Sequence, residues 1–322
     1  MAFNNLIGRS DAAALIPEDA SNEILAAIPQ ASATLQLAKR LPNMSTNQRR
    51  VPVMSALASA YFLTGDTGLK QTTEVNWANK YIDAEELAVI VPISEAVLDD
   101  AAFDIWGAVK PSLVEAFGIA IDQAVLYGTN IPASWTTNMG AAGIVAGAAA
   151  ASQNVSLAAY SDMYEAILGE TAAGVSGVFG LVEADGFMVT GSIAHTSMKR
   201  KLRNVRDSNG GLIFSTNMQQ AGAYLLDGAP ILFPVNGAIS ATQLLIAGQW
   251  NQLVYAMRQD ITYKVLDQAV ITDGAGNIIY NLAQQDMVAL RAVMRLGFAL
   301  PNPINRVNSN SATRYPFAYM TA

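Results

Sequence analysis

From Arg49 onward the spacing of apolar residues along the chain becomes two. Val51 and Val53 alternate with Pro52 and Met54. After a glycine-rich middle the alternation returns at Thr73, Val75, Trp77, Asn79 and Tyr81, then runs through Leu87, Val89, Val91 and Ile93. Successive side chains on a strand point to opposite faces, so this period predicts strands. Gly65-Asp66-Thr67-Gly68 supplies turn chemistry between them. The prediction is a long β-hairpin over residues 49–93, with Pro52 tolerated where no ladder donor is needed. A two-stranded ribbon of that length is marginal alone in water. It must lie against something, and a neighbouring subunit is the natural support.

Composition points the same way. A chain of 322 residues exceeds the size at which one core keeps growing, which predicts two compact units or one core with large excursions. Its residues are 52% apolar and only 14% charged, with a mean hydropathy of +0.25, where a soluble domain carries about 25% charged residues. No apolar run approaches the roughly 20 residues of a membrane span; the best is the weak stretch Met139 to Ala151. No membrane partner is expected. The opening Met1-Ala2-Phe3-Asn4-Asn5 lacks the basic start and apolar block of a secretory signal, so folding in a cytosol is expected. The simplest use for so little charge is a surface largely covered by other subunits.

Zero cysteines exclude disulfides, thiol nucleophiles and sulfur-built zinc sites, and the single His195 excludes a histidine-rich metal centre within one chain. A net charge of −7 argues against wrapping nucleic acid, because phosphate binding depends on clustered cations releasing counterions. His195 with Ser192 or Ser197 has no G-x-S-x-G elbow around it, and reads better as a residue on the first turn of a helix capped by Ser192. No Gly-Lys pair exists for a phosphate loop, and Gly174, Gly177 and Gly180 precede no expected helix start. Glu85-Glu86 cannot act as a catalytic pair alone, since neighbours on a strand face opposite ways. Glu85-Glu86 and Asp99-Asp100 read as solvated or intersubunit charge. No cofactor and no enzymatic activity are expected.

Residues 1–48 read as an arm interrupted by Pro17, Pro29 and Pro42, with one helical stretch over Ser21 to Leu37 that could dock on its own domain or reach a neighbour. Ser94 to Gly128 returns to helical spacing. Leu113, Phe117, Ile121 and Ala124 form its apolar stripe, Gly128 its stop, and Pro111 its expected kink or fresh start, giving a helix over Pro111 to Tyr127. Thr129 to Ser156 reads as a low-complexity connection, mobile in part. Beyond it come a helix opened by Asp162 and Glu165 and running through Ala173, a strand Phe187 to Thr190, and a basic helix Ile193 to Val205 ended by the turn Asp207 to Gly211. Strands are expected over Leu244 to Ala247, Leu253 to Met257, Ile261 to Val270 and Asp286 to Leu300, with a hairpin turn at Asp273 to Asn277. Lys199, Arg200, Lys201, Arg203 and Arg206 form the one dense cationic patch. With no interleaved aromatics to stack bases, an intersubunit ion-pair role is favoured over nucleic acid.

The order arm, hairpin, acidic-start helix, α/β middle and strand return resembles that of tailed-bacteriophage major capsid proteins. The residues carrying the resemblance are Arg49-Arg50-Val51-Pro52-Val53, Gly65-Asp66-Thr67-Gly68, Glu86 to Ser94, Leu98-Asp99-Asp100 and Ile121 to Gly128. In the second half they are Leu202-Arg203, Arg206 to Gly210, Leu226 to Pro230, Val288 to Arg291 and Arg295-Leu296-Gly297. The resemblance implies the α+β fold named after the Hong Kong ninety-seven phage. Its parts here would be an N-terminal arm (1–48), an extended loop (49–93), a peripheral domain with a spine helix (94–135 and 255–300) and an axial domain (136–254 and 301–322). It implies pentamers and hexamers of an icosahedral shell around double-stranded DNA, each extended loop overlapping a neighbour, with a portal among the partners. The interface residues expected are Trp77 and Tyr81 as apolar anchors, Arg49, Arg50, Lys70 and Lys80 as loop charges, and Arg200, Arg203 and Arg206 on the axial helix.

Two departures from the family pattern matter. Some members weld subunits by an isopeptide bond from a loop lysine to an asparagine, assisted by a glutamate. Lys70 or Lys80 is the implied donor, but the acceptor position corresponds to Asp286 and the glutamate position to Val293. Without a base the reaction has no proton acceptor, so no crosslink is expected, and non-covalent burial or a cementing protein must hold the shell. Members also often carry a long N-terminal scaffolding segment. Here the arm begins almost at Met1, so a separate scaffolding chain is expected. The packaged DNA should be touched only non-specifically. An encapsulin-like compartment enclosing protein cargo is the nearest rival reading, and a carboxylate hydrolase, which leaves the hairpin unexplained, is the next.

Overall fold

The structure is a computed structural model that describes residues 32–63, 69–100, 104–170, 174, 176–205 and 224–322. In chain order the described elements begin with α1 (Ala33–Leu37), β1 (Lys39–Arg40), β2 (Gln48–Ala56), β3 (Asn76–Asp83), β4 (Glu85–Ser94) and α2 (Glu95–Asp100). Next come α3 (Ile105–Tyr127), α4 (Ala133–Met139), α5 (Ile144–Ala150), β5 (Asn154–Ser156), α6 (Met163–Ile167) and α7 (Val178–Ala184). They are followed by β6 (Gly191–Ala194), α8 (Thr196–Arg203), β7 (Leu225–Leu226), β8 (Ala229–Leu232) and β9 (Gln243–Gly248). The last are β10 (Val254–Leu266), β11 (Val270–Thr272), β12 (Ile278–Asn281), β13 (Met287–Ala299) and β14 (Phe317–Thr321).

Two sheets carry the body. A four-stranded sheet has the order β1-β10-β13-β4, and a six-stranded sheet the order β5-β14-β9-β6-β8-β7. The helix α3 packs Leu113 and Phe117 onto Leu290 and Ala292 of β13, with Val89 and Val91 of β4 beside them. In the six-stranded sheet both faces are covered, which is why its strands read as near-continuous apolar runs. Phe317 and Tyr319 of β14 and Ile246 of β9 enter one core with Ile144 and Ala148. Ala318, Met320, Leu245 and Ala247 enter the other, against α6, α7 and α8.

Several expectations need correction. The hairpin is β2 with β3 and ends at Asp83, because β4 leaves it to pair antiparallel with β13, Leu87 opposite Met294. A period of two reports that a segment is a strand, not which partner it takes. The spine helix begins at Ile105 rather than Pro111, the proline lying inside it, and it ends as expected at Gly128, left-handed at φ 72°. A Cβ there would collide with the Ala142 carbonyl. The Ala/Gly-rich stretch from Thr129 is no loose connection: it holds α4 and α5, with Trp135, Met139, Ile144 and Ala148 buried. Gly177 does precede a helix, α7, of one further turn or two. The strand expected at Phe187 begins instead at Gly191, and two expected strands fuse into β10, with register shifts between Met257 and Thr262. Of the expected arm helix only Ala33–Leu37 falls within the described residues, and the turns Gly65 to Gly68 and Asp207 to Gly211 lie outside them.

Candidate functional site

Pairing in the hairpin sets Arg50 opposite Tyr81, Pro52 opposite Asn79 and Met54 opposite Trp77. Opposed residues share a face, so these six form one surface. It points outward: Trp77 is 68% exposed, Tyr81 and Met54 39% each. The other face carries Arg49 opposite Ile82, Val51 opposite Lys80 and Val53 opposite Ala78. Ile82 is fully buried with Met44, Ala84, Val254, Ala256 and Ala299, and Val51 packs against them. Arg49 donates through Nη1 to the Pro42 carbonyl at 2.8 Å. Lys80 lines a cavity of about 520 Å³ shared with Arg314 and Tyr315.

The expected loop charges therefore separate. Arg50 belongs with Trp77 and Tyr81, while Arg49 and Lys80 face the body of their own chain. Lys70 stands near the tip among exposed apolar residues, Tyr61, Phe62, Leu63 and Leu69. The two legs of the tip are tied by side chains rather than by a ladder. Thr73 Oγ1 accepts from the Ser59 amide at 3.0 Å, and the Tyr61 hydroxyl donates to the Gln71 carbonyl at 3.2 Å.

The cationic patch lies on α8, with Arg200 and Arg203 exposed; Arg206 falls outside the described residues. His195 caps this helix, its Nδ1 accepting from the Ser197 amide at 3.2 Å, which places the imidazole itself at the cap instead of Ser192. Lys199 Nζ sits 4.3 Å from the centroid of Tyr224 and 5.8 Å from that of Phe233. Hydrogen bonding to Lys199, helped by Arg203, holds the Tyr224 phenol below the usual tyrosine range. Among the described residues the one ion pair is Arg295 with Glu86, at 3.3 Å. The α8 cations thus form no ion pair with any described carboxylate.

Three buried charged residues escaped the sequence reading. Asp122 on the spine helix is fully buried, accepting from the Ser32 hydroxyl and from the amides of Ala33 and Thr34, both at 3.0 Å. It fastens α1 to α3. Asp185 accepts from Gln153 Nε2 at 2.7 Å, Asn308 Nδ2 at 2.7 Å and the Tyr315 amide at 2.8 Å. Arg314 is only 3% exposed and donates to Asn302 Oδ1, the Asn302 carbonyl and the Asn308 carbonyl. Burial lowers its pKa while the charge of Asp185 works against that. The one sequence signal for Asp122 was a carboxylate on the apolar side of a helix, next to Ile121. Asp185 and Arg314 gave none, since their partners come from distant segments. At the implied crosslinking positions, Asp286 precedes β13 at φ 48° and Val293 is a buried valine opposite Ala88.

Comparison with known proteins gives this architecture relatives. Residues 12–305 match the phage capsid family. The major capsid protein of Staphylococcus phage 80alpha is 25% identical over 281 residues, 85% of this chain and 78% of that protein. A solved chain of Microbacterium phage Oxtober96 is 31% identical, covers 98% of this chain and 99% of its own, and superposes with a TM-score of 0.80. One of Mycobacterium phage Cain is 31% identical, with 98% of each chain covered and a TM-score of 0.78. Extended hairpin, spine helix and two sheets are thus arranged as in phage capsids of the Hong Kong ninety-seven type, and the chain belongs to the phage capsid family.

Proposed function

We propose that this major capsid protein of a phage virion closes its shell by laying the outward hairpin face over a neighbouring subunit, in pentamers and hexamers of an icosahedral head. The observation that carries the reading is the strip Met54, Trp77 and Tyr81, exposed on a ribbon whose opposite face is already used by its own chain. Exposed aromatics beside an arginine are the side chains that dominate protein interfaces. Trp77, Tyr81 and Arg50 form the centre of the contact, and Lys70 its far end. Arg49 and Lys80 orient the hairpin from beneath. Arg200 and Arg203, with Arg206, meet acidic surface on an adjacent copy.

The division into arm, extended loop, peripheral domain (94–135 and 255–300) and axial domain (136–254 and 301–322) belongs to the same proposal, with β4 counted with the sheet it joins. The family is one of structural shell proteins, and this chain is proposed to catalyse nothing, its own crosslinking included, because Val293 offers no base. Non-covalent contacts then hold the shell, with a cementing protein, a scaffolding chain and a portal as partners. A subunit of net charge −7 suits a container whose DNA must slide in and out without adhering. The named relatives are of phage origin, which favours a genome over protein cargo.

Negative-stain electron microscopy of the protein expressed alone, with the ultraviolet absorbance ratio for nucleic acid, tests this. Closed shells, tubes or capsomer rings are expected. Subunits that stay monodisperse even with scaffold and portal supplied would overturn it.

A further inference from the structure

Between the inner face of the hairpin, the segment Asn302–Tyr315 and the pair α4 and α5 lies an open cavity of about 520 Å³. Lys80 enters its lining from β3, Gly147 from α5, and Ser309, Ser311, Arg314 and Tyr315 from the C-terminal segment. Among the described residues no aspartate or glutamate lines it, in a chain whose acids outnumber its lysines and arginines by 26 to 19. A wall with two cations and no acid is a local reversal of the overall charge.

The donors along that wall are short of acceptors. Lys80 is half-buried, yet its ammonium makes no hydrogen bond or ion pair with any described residue. Arg314 is 3% exposed and spends its hydrogen bonds on Asn302 and Asn308, neither of them an acid, so its charge has no ion-pair partner either. Asp185, whose charge reaches Arg314, is turned to Gln153, Asn308 and the Tyr315 amide and does not line the cavity. The Tyr315 hydroxyl fills the space left by the missing side chain of Gly147, buried and without an acceptor among the described residues. Burial raises its pKa, which keeps it a donor. Ser309 and Ser311 add two exposed hydroxyls. A half-buried ammonium has shed part of its hydration, and an anion is what restores the balance.

We propose that this cavity binds a small, doubly charged oxyanion of the phosphate class, with Lys80 Nζ and the Ser309 and Ser311 hydroxyls on its oxygens and Arg314 as the second positive charge. Two cations match a dianion, and hydroxyl donors match oxygen acceptors. Such a ligand bridges β3 and the C-terminal segment, so its binding fastens the base of the hairpin to the body of its own subunit. The site lies within one subunit and stands apart from the shell reading.

Inorganic phosphate is the probe. Equilibrium dialysis of the full chain, as unassembled subunits at fixed ionic strength, should show saturable binding of labelled phosphate at a single site. Because the ligand binds only the folded state, the melting temperature should rise by about 2 °C at a concentration about ten times the dissociation constant. Lys80→Met should weaken binding roughly tenfold or more, as expected for loss of a charged hydrogen-bond partner, and Lys80→Arg should restore it. Ser311→Asp places a carboxylate at an exposed lining position, where it should pair with Lys80 and abolish phosphate binding in a subunit that still melts cooperatively. Phosphate also stabilises proteins generally by its exclusion from their surface, a rise that does not saturate and is alike in all variants. That rise alone, or saturable binding unchanged in Lys80→Met and Ser311→Asp, would overturn the site. Competition by ATP distinguishes the source: stronger than by orthophosphate it points to the phosphates of a nucleotide, weaker to the free ion, and either result upholds the site.

Discussion

The hairpin Gln48–Asp83 and the segment Asn302–Tyr315 both extend beyond the strands that anchor them, yet their side chains are satisfied in opposite directions. In the C-terminal segment Arg314 is 3% exposed and serves the carbonyls of Asn302 and Asn308, while Asp185 receives Asn308 and the Tyr315 amide. The buried Arg314 and Asp185 there are satisfied within one chain. On the hairpin the large side chains Trp77, Phe62 and Leu69 face outward. An excursion completed by its own chain is ordered in the lone subunit, whereas one that leaves its aromatics bare is, on the proposed reading, completed on assembly. The difference lies between intramolecular hydrogen bonding and apolar area awaiting a partner.

The strongest way to break that comparison is to open the closed excursion. Arg314→Met removes the donors to two part-buried carbonyls, where a group orphaned in a fully buried setting costs roughly 1–3 kcal/mol. A loss of about 3 kcal/mol is expected in the lone subunit, read as a lower urea midpoint at unchanged slope. An unmoved midpoint would mean that the segment is not held from within. Asp122→Ala should cost a similar amount, about 3 kcal/mol, by stranding the Ser32 hydroxyl and the Ala33 and Thr34 amides. Its distinguishing sign is faster proteolysis near residue 32.

The hairpin should respond in reverse. Trp77→Ala leaves the midpoint of the lone subunit unchanged, because the indole is 68% exposed there, but should cost assembled shells roughly 2 kcal/mol per contact. Calorimetry of shells and subunits side by side separates the two. Loss in both states would place Trp77 in its own subunit's packing.

How far the sequence was legible follows the same division. Strands and helices with regular periodicity were readable: β2, β3, β4, β9 and β13 fall where the alternation and apolar runs placed them, as do the spine-helix stripe and the Gly128 stop. Pairing was not, since the same period describes β4 as a hairpin leg and as a neighbour of β13. The stretch from Thr129 misled because Ala and Gly signal both looseness and close packing, and only the presence of Trp135 and Tyr315 around α5 decides between them. Asp185 and Arg314 are more than a hundred residues apart, so no local window could join them. The hairpin's outward strip was legible through Trp77 and Tyr81, whereas its separation from Arg49 and Lys80 needed the register.

The smallest effect makes the sharpest test, because Arg49 and Arg50 are neighbours in sequence with equal charge and opposite faces. Arg49→Ala removes the 2.8 Å bond to the Pro42 carbonyl and should lower the stability of the lone subunit by about 1 kcal/mol, the usual net worth of such a bond. Arg50→Ala has no such bond to lose. Its charge lies at the edge of the proposed apolar contact, where a rim ion pair contributes under about 1 kcal/mol and is screened by salt. The subunit should therefore melt unchanged, while the salt dependence of assembly, followed by light scattering between low and physiological ionic strength, becomes shallower. Two adjacent arginines would then differ in which state feels their loss, one the monomer and the other the shell. Equal effects on monomer stability would mean that the hairpin's outer face is already covered in the lone subunit, and the contrast between the two excursions would fall with it.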